Sequence, residues 1–429
     1  MSARTLWPAL VALAVLAAGC PAGRFGTLQR NLADSANTAV VTGELAHAES
    51  DPAKIVVFAL LQKEGAALEA VNYAHLAGPA TYVLRLAAGE RYVIGAFADR
   101  NDNLRPDPGE AVGWAVPTPP LAGRSITRVD LALAPAGGSF PADIARAADR
   151  LPEVEHRPLP LALGEVAGLD DPRFSPEFGR LGLWAPFDFT TQVGIGVYFL
   201  APYDPRKVPI VFVSGAGGHP REWRTLIEAL DRNRYQPWVY LYPSGTRLAT
   251  AARVLDDCIE LLHAEYGFQR LYVTAHSMGG LVARGFIQHN AYDDRRDYVR
   301  TFVTLATPWR GHRAARLGVE LAPATIPSSI DMQVDSGFQQ ALFARPLPPG
   351  VAHYLLYAHP DPAVPAATAS DGVVSVASQL RPEAVDGARA VLGFRETHTS
   401  VLTSGTVVAD YLEILAGTAP AATRPAGSP

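Results

Sequence analysis

Leu271-Tyr272-Val273-Thr274-Ala275-His276-Ser277-Met278-Gly279-Gly280, running on into Leu281-Val282-Ala283-Arg284-Gly285-Phe286-Ile287, is the stretch that decides the fold. Its first four residues are aliphatic, aromatic or β-branched and read as a buried strand. Leu281, Val282, Phe286 and Ile287 recur at helical spacing and give the following segment an apolar face. Only a few residues separate the two, so the chain must pass from strand to helix through a sharp turn. Such a turn holds Ser277 in a strained conformation and requires small residues two places either side, where Ala275 and Gly279 stand. The Ser277 hydroxyl then projects above the sheet at a helix amino terminus, where the dipole favours negative charge.

Working outward, apolar strand runs alternate with helical patterns: Val208–Val213, Trp223–Leu230, Pro237–Tyr242, Ala252–His263, Arg270–Ala275, Leu281–Gln288 and Val299–Ala306. Further strands are expected at His353–Tyr357 and Arg389–Gly393, and a closing helix at Val401–Leu415. Alternation of this kind means a parallel sheet with helices on its faces. With the serine turn, it resembles the α/β-hydrolase superfamily over roughly residues 186–415, and within it the bacterial lipases and esterases. Ala275 stands where that family usually has the first glycine of its turn. The resemblance implies a mostly parallel sheet flanked by helices, ester or lipid substrates, an acyl-enzyme and no cofactor for catalysis.

A serine hydroxyl needs a base, and the base an orienting acid. The family places them in the order Ser, acid, His, which leaves His289, His312, His353, His359 and His398 downstream of Ser277. His398 lies between the last strand and the closing helix, where the family has its base. Ser370-Asp371-Gly372-Val373-Val374 resembles the Asp-Gly-x-Val segment of many lipases, which makes Asp371 the expected acid; Asp361, followed by Pro362, is the alternative. An oxyanion hole needs two backbone N–H groups. By position these are Met278, directly after the serine, and Ala216 in Ser214-Gly215-Ala216-Gly217-Gly218, which resembles the family's His-Gly-x-x-Gly with Ser214 in place of the histidine.

About forty residues between Trp309 and His353 form an insertion with Phe338, Leu342 and Phe343 among its apolar side chains. Such a segment reads as a lid or cap whose apolar residues select an acyl chain, or as an extra packed helix or two. Cys258 shares an apolar helix face with Leu255, Ile259 and Leu262 and is expected in the core.

At the amino terminus, Arg4 precedes a short apolar run, Ala9–Ala18, that ends Leu16-Ala17-Ala18-Gly19-Cys20. The run is too short to span a bilayer of about 30 Å as a helix and reads as a cleavable signal over residues 1–20. The ending resembles the lipobox of bacterial lipoproteins, with Ala17 where Leu is usual. The resemblance implies acylation of Cys20, a membrane held through that anchor, and, with Pro21 rather than an acidic residue next, the outer membrane of a bacterial envelope. Residues 37–134 read as short strands in a small all-β sandwich, resembling the prealbumin-like modules of secreted bacterial proteins, notably through Leu86-Ala87-Ala88-Gly89-Glu90-Arg91-Tyr92. Residues 135–185 read as a connecting segment, 186–415 as the hydrolase domain, and 416–429 as a tail too poor in large apolar residues to bury a face.

Asp99, Asn101, Asn103, Asp107 and Glu110 occupy places 1, 3, 5, 9 and 12 of a loop, the spacing of a calcium site, but Leu104 stands where such a loop needs glycine. A structural calcium and a plain Asn/Asp-rich turn are both open on this pattern. Composition excludes other classes. The 429 residues are 48% apolar, enough for real cores, and 37 Lys and Arg against 42 Asp and Glu leave no basic stripe for nucleic acid. Two cysteines build no disulfide framework. Two other readings remain beside ester hydrolysis: acyl transfer by the same three residues, and a non-catalytic surface lipoprotein that binds through its sandwich.

Overall fold

The computed structural model describes residues 21–47, 54–76, 81–115, 119–123, 126–134, 138–154, 161–313, 315, 319, 322–359 and 369–418. Cys20 and the signal, Asp361 and the tail beyond 418 lie outside them. The chain divides into two compact units, residues 30–161 and residues 1–29 with 162–429.

Among its described residues the smaller unit holds eight strands: β1 (Thr38–His47), β2 (Lys54–Gln62), β3 (Glu69–Leu76), β4 (Thr81–Ala87), β5 (Arg91–Asp99), β6 (Val112–Trp114), β7 (Ile126–Arg128) and β8 (Leu131–Leu133). They form two sheets, β4-β1-β7 with β8 also on β1, and β3-β2-β5-β6. Most pairs are antiparallel, but β7 and β8 run parallel to β1. Val41 and Leu84 of the first sheet meet Val57, Ile94 and Ala96 of the second in one core, so the unit is a β-sandwich. Successive strand residues point to opposite faces, and β2 and β5 are apolar on both. Their outer face, with Phe58, Val93 and Phe97, is covered by Phe140, Ile144 and Leu151. The first part of the expected connector therefore completes this unit's second core.

The other part of that stretch belongs to the larger unit. Leu161–Val166 is β9, followed by short helices at Pro176–Trp184 and Pro186–Gln192. β10 (Ile195–Phe199), β11 (Val208–Val213), β12 (Tyr235–Leu241), β13 (Leu271–His276), β14 (Val299–Leu305), β15 (Ala352–Ala358) and β16 (Ala390–Phe394) complete an eight-stranded sheet in the order β16-β15-β14-β13-β11-β12-β10-β9. From β11 to β16 all neighbours are parallel, and β10 is antiparallel to β12. Phe212, Val239, Val303, Leu356 and Leu392 from five strands share a core with Trp223 and with Tyr411 of the closing helix Gly405–Ala416.

This order positions the site. The chain leaves β11 for β12 on one side and returns to β13 on the other, so β11 and β13 are neighbours with Val213 opposite Ala275. Loops leaving their carboxyl ends diverge to opposite sides and open a crevice there. Those loops are Ser214–Gly218 and the turn at Ser277.

Candidate active site

Ser277 has φ +53° and ψ −133°, a conformation that costs a non-glycine residue about 1–3 kcal/mol. The surrounding structure enforces it. The Ser277 N–H donates to the Leu305 carbonyl of β14 at 2.9 Å, and the helix Met278–Gln288 that follows is buried along its whole length. A Cβ on Gly279 would fall 2.3 Å from the Val213 carbonyl oxygen and 2.6 Å from that of Ser214, so only glycine fits. Ala275 is fully buried on the other side.

Ser277, His398 and Asp371 come together as a bonded series. Ser277 Oγ lies 2.9 Å from His398 Nε2, and His398 Nδ1 lies 2.7 Å from Asp371 Oδ2. The His398 N–H also donates to the Asp371 carbonyl at 2.9 Å, which ties the two loops by backbone as well. Asp371 is buried, and its other oxygen, Oδ1, accepts the N–H groups of Val373 and Val374 at 2.8 and 2.7 Å. Its Oδ2 additionally accepts from Gln379 Nε2 at 3.1 Å. Gln379 is wholly buried and bonds both the N–H and the carbonyl of Ala358 at the end of β15, so it fixes the acid's loop to the sheet.

Two further histidines hold this arrangement, one on His398 and one on the acid's loop. His276 Nε2 donates to the His398 carbonyl at 2.8 Å, and burial pushes the His276 imidazole down to about 3 and keeps it neutral. His312 bonds the Val373 carbonyl through Nε2, and its own N–H donates to the Met332 carbonyl at 2.7 Å. Gln379, His276 and His312 carry no recognisable sequence signal for these contacts, because each acts through a partner remote in the chain.

The Ser214–Gly218 loop runs beside the serine: a Cβ on Gly215 would lie 2.8 Å from Ser277 Cβ and 3.3 Å from Oγ. Met278 is the first residue of its helix, so its N–H has no acceptor within the helix. Ala216 is exposed in the loop. With no histidine at position 214, other bonds fix this loop. Trp223 Nε1 donates to Ser214 Oγ at 2.9 Å, the Tyr242 hydroxyl to the Ser214 carbonyl at 2.7 Å, and the Gly217 N–H to Ser244 Oγ at 2.9 Å.

Among its described residues the insertion holds two short helices, Pro327–Asp331 and Gly337–Phe343. Asp331 is buried, receives Arg247 in a two-pronged ion pair and accepts the Leu248 N–H at 2.8 Å, at the start of the helix Leu248–Tyr266. Leu342 and Phe343 pack as the second of the two sequence readings has it, in an extra helix against the sheet's helices. Leu342 is 4% exposed and its carbonyl accepts from Arg284 and Gln288 of the serine's helix. The Phe343 ring lies 4.3 Å from the Arg284 guanidinium and 4.0 Å from that of Arg381, with Trp309 edge-on. These side chains fasten the insertion to the fold. Leu342→Ala is accordingly expected to cost about 2–5 kcal/mol of stability in denaturant unfolding and to lower hydrolysis of short and long esters equally.

The Asp99–Glu110 loop closes on itself. Asp99 accepts the N–H groups of Asn103 and Leu104, Glu110 those of Arg100 and Asp107, and the Asn101 and Asn103 amides both donate to Asp107. Leu104 reaches φ +62° without being glycine. Both oxygens of Asp99 and of Glu110 and one of Asp107 thus accept from the loop's own donors, the bonding of an Asn/Asp-rich turn. Among the described residues no cluster of three or more His, Cys, Asp or Glu side chains is placed to hold a metal. Cys258 is buried, as expected.

Strand order, serine turn and bonded series together define an α/β-hydrolase domain. Residues 210–422 match the alpha/beta hydrolase family. No curated protein matches the sequence. Solved structures similar to this chain include Bacillus licheniformis lipase BlEst2 in its mature form, 19% identical over 51% of this chain and 97% of its own, TM-score 0.40. Aspergillus fumigatus lipase B is 15% identical over 53% and 57%, TM-score 0.40. Phospholipase PlaB from Legionella pneumophila is 20% identical over 40% and 44%, TM-score 0.34.

Proposed function

We propose that the chain is a serine hydrolase of carboxylic esters that works through an acyl-enzyme. The observation that carries this reading is the continuous pair of bonds, 2.9 and 2.7 Å, from Ser277 through His398 to the buried Asp371. His398 Nε2 takes the Ser277 proton as Oγ bonds to the ester carbonyl carbon. The negative charge moves to the carbonyl oxygen, which accepts from the N–H groups of Ala216 and Met278. The tetrahedral species then breaks its bond to the alcohol oxygen, and His398 returns the proton to that leaving group. Water repeats the sequence on the acyl-serine and releases the acid. Asp371 holds the imidazole with Nδ1 protonated and stabilises the cation formed during transfer.

The acyl group is assigned to the apolar side. Ile330, Val334 and Val373 are exposed large apolar residues, and Val373 is two residues from the acid and joined through His312 to the segment that carries the other two. The test is labelling of Ser277 by a fluorophosphonate and turnover of nitrophenyl esters of graded acyl length. Absence of both in folded protein overturns the reading.

We further propose that the enzyme is held at a bacterial outer membrane by acylation of Cys20. No helix among the described residues is long and apolar enough to cross a membrane, and the lipobox-like Leu16–Cys20 supplies another means of attachment. Cys20→Ala is expected to move the protein from the membrane fraction to the soluble periplasm; unchanged partition would point to a different anchor.

A further inference from the structure

Glu222 lies one residue before Trp223, in the short turn Pro220–Trp223, and takes no part in the proton transfers above. Its carboxyl head is nevertheless seated against the loop that faces the oxyanion. A Cβ on Gly218 would lie 3.0 Å from each of its oxygens and 2.9 Å from Ser214 Cβ, so no water fits between carboxyl and loop. Ser214 Oγ accepts from the Trp223 indole, which leaves the hydroxyl proton to donate to Glu222. The His219 N–H approaches Oε2 at 3.4 Å, while Oε1 is buried with no partner.

An ionised carboxylate needs several donors when removed from water. This one has a hydroxyl and a long N–H contact, so burial pushes Glu222 up to about 7. The charged and titratable groups around it do not reverse this. On its own turn are His219, itself driven towards the neutral form by burial, and Arg221, which is turned away to the Asp170 and Asp171 carbonyls. From the strand end comes Tyr242, whose hydroxyl is spent on the Ser214 carbonyl. From the catalytic loop comes His398, whose charge would favour the carboxylate. Glu177 and Arg180, on the helix Pro176–Trp184 that packs at Gly217 and Gly218, act on His219 with opposite signs.

We propose that Glu222 is a positioning residue: its carboxyl, seated against Gly218 and Ser214 with one oxygen buried and unpartnered, holds the Ser214–Gly218 loop in the shape that presents the Ala216 N–H to the oxyanion, and a negative charge on it disfavours that oxyanion. Glu222 adds to the bonds from Trp223, Tyr242 and Ser244 that fix the same loop. The physical reason is charge. A carboxylate buried against the loop opposes the negative charge that develops at the loop's N–H groups.

This inference rests on the serine-hydrolase reading, and the experiment separates the two. With nitrophenyl esters, kcat and KM are measured from pH 5.5 to 9 for wild type, Glu222→Gln and Glu222→Ala. The glutamine variant mimics the uncharged acid. The ratio of its kcat to that of wild type is expected to rise about tenfold across pH 7 with KM unchanged, and the alanine variant to lose about tenfold in kcat at the acid end of the range, where the wild-type carboxyl is protonated. A glutamine ratio that is flat with pH, or an alanine variant equal to wild type at pH 5.5, overturns the proposal while wild-type turnover still upholds the hydrolase. A second measurement needs no activity. The folded state keeps on Glu222 a proton that the unfolded chain has lost above about pH 4.5, so wild-type stability falls as pH rises from there through 7. The melting temperature of Glu222→Gln should therefore gain on wild type between pH 5 and 8, and a constant difference overturns the proposal even if no ester is turned over.

Discussion

Ser277→Ala is expected to abolish fluorophosphonate labelling and to lower ester turnover on the order of 10⁶-fold, the effect of removing the nucleophile from a unit that works only when complete. The substitution is clean at this position. Alanine keeps the Cβ that already stands at φ +53°, so backbone strain is unchanged, and the backbone bond to Leu305 stays. What disappears is the hydrogen bond between Oγ and His398, worth about 0.5–1.5 kcal/mol, and the melting temperature should barely move. Circular dichroism and thermal unfolding beside the activity measurement establish that the loss is chemical. Activity within tenfold of wild type would remove Ser277 from the mechanism.

The larger unit is legible in the sequence wherever apolar periodicity and local turn chemistry agree. β11, β13 and β14 are buried runs between clear helices, and the turn at Ser277 follows from which residues are small around it. β9 and β10 are hidden because each is interrupted by a glycine, Gly164 at φ +78° and Gly196 at φ +138°, so neither shows an unbroken run. The smaller unit's β3 is hidden for another reason: Glu69, Asn72 and His75 break its pattern, and pairing with β2 is what orders it. Leu342 and Phe343 show the limit of a pattern. Apolar spacing says that a face is covered and not what covers it, and here the cover is the serine's own helix.

The site divides in the same way. Ser277, Asp371 and His398 are readable because each sits in a local motif that the superfamily resemblance interprets. Gln379, His276 and Glu222 have no such motif. Gln379 matters through Ala358, 21 residues away, and His276 through the carbonyl of a residue 122 positions on. Only the closed sheet brings those pairs together. Ser214 lies between the two cases. Its departure from the usual histidine is visible in the sequence, but the replacement bonds from Trp223 and Tyr242 are visible only in the fold.

Asp371→Asn is expected to lower kcat about 10⁴-fold with the protein still folded, and the hydrogen bonds around the acid say why the loss should be large. Oδ1 accepts two backbone N–H groups, from Val373 and Val374, so an asparagine must keep its carbonyl oxygen there. Its NH₂ is then forced into the place of Oδ2, facing His398 Nδ1 and Gln379 Nε2. Towards the imidazole the amide can only donate, which puts the ring proton on Nε2 and turns the base into a donor towards Ser277. Towards Gln379 two donors meet in a buried place, which adds a stability cost of about 1–3 kcal/mol. Gln379 cannot turn away from this conflict, because its own oxygen and amide are held by the N–H and the carbonyl of Ala358. Melting temperature measured beside kcat separates the two effects: the expected result is the large fall in kcat together with a stability loss of that size, and a variant with near-wild-type kcat would mean that the acid is elsewhere, with Asp361 the next to test.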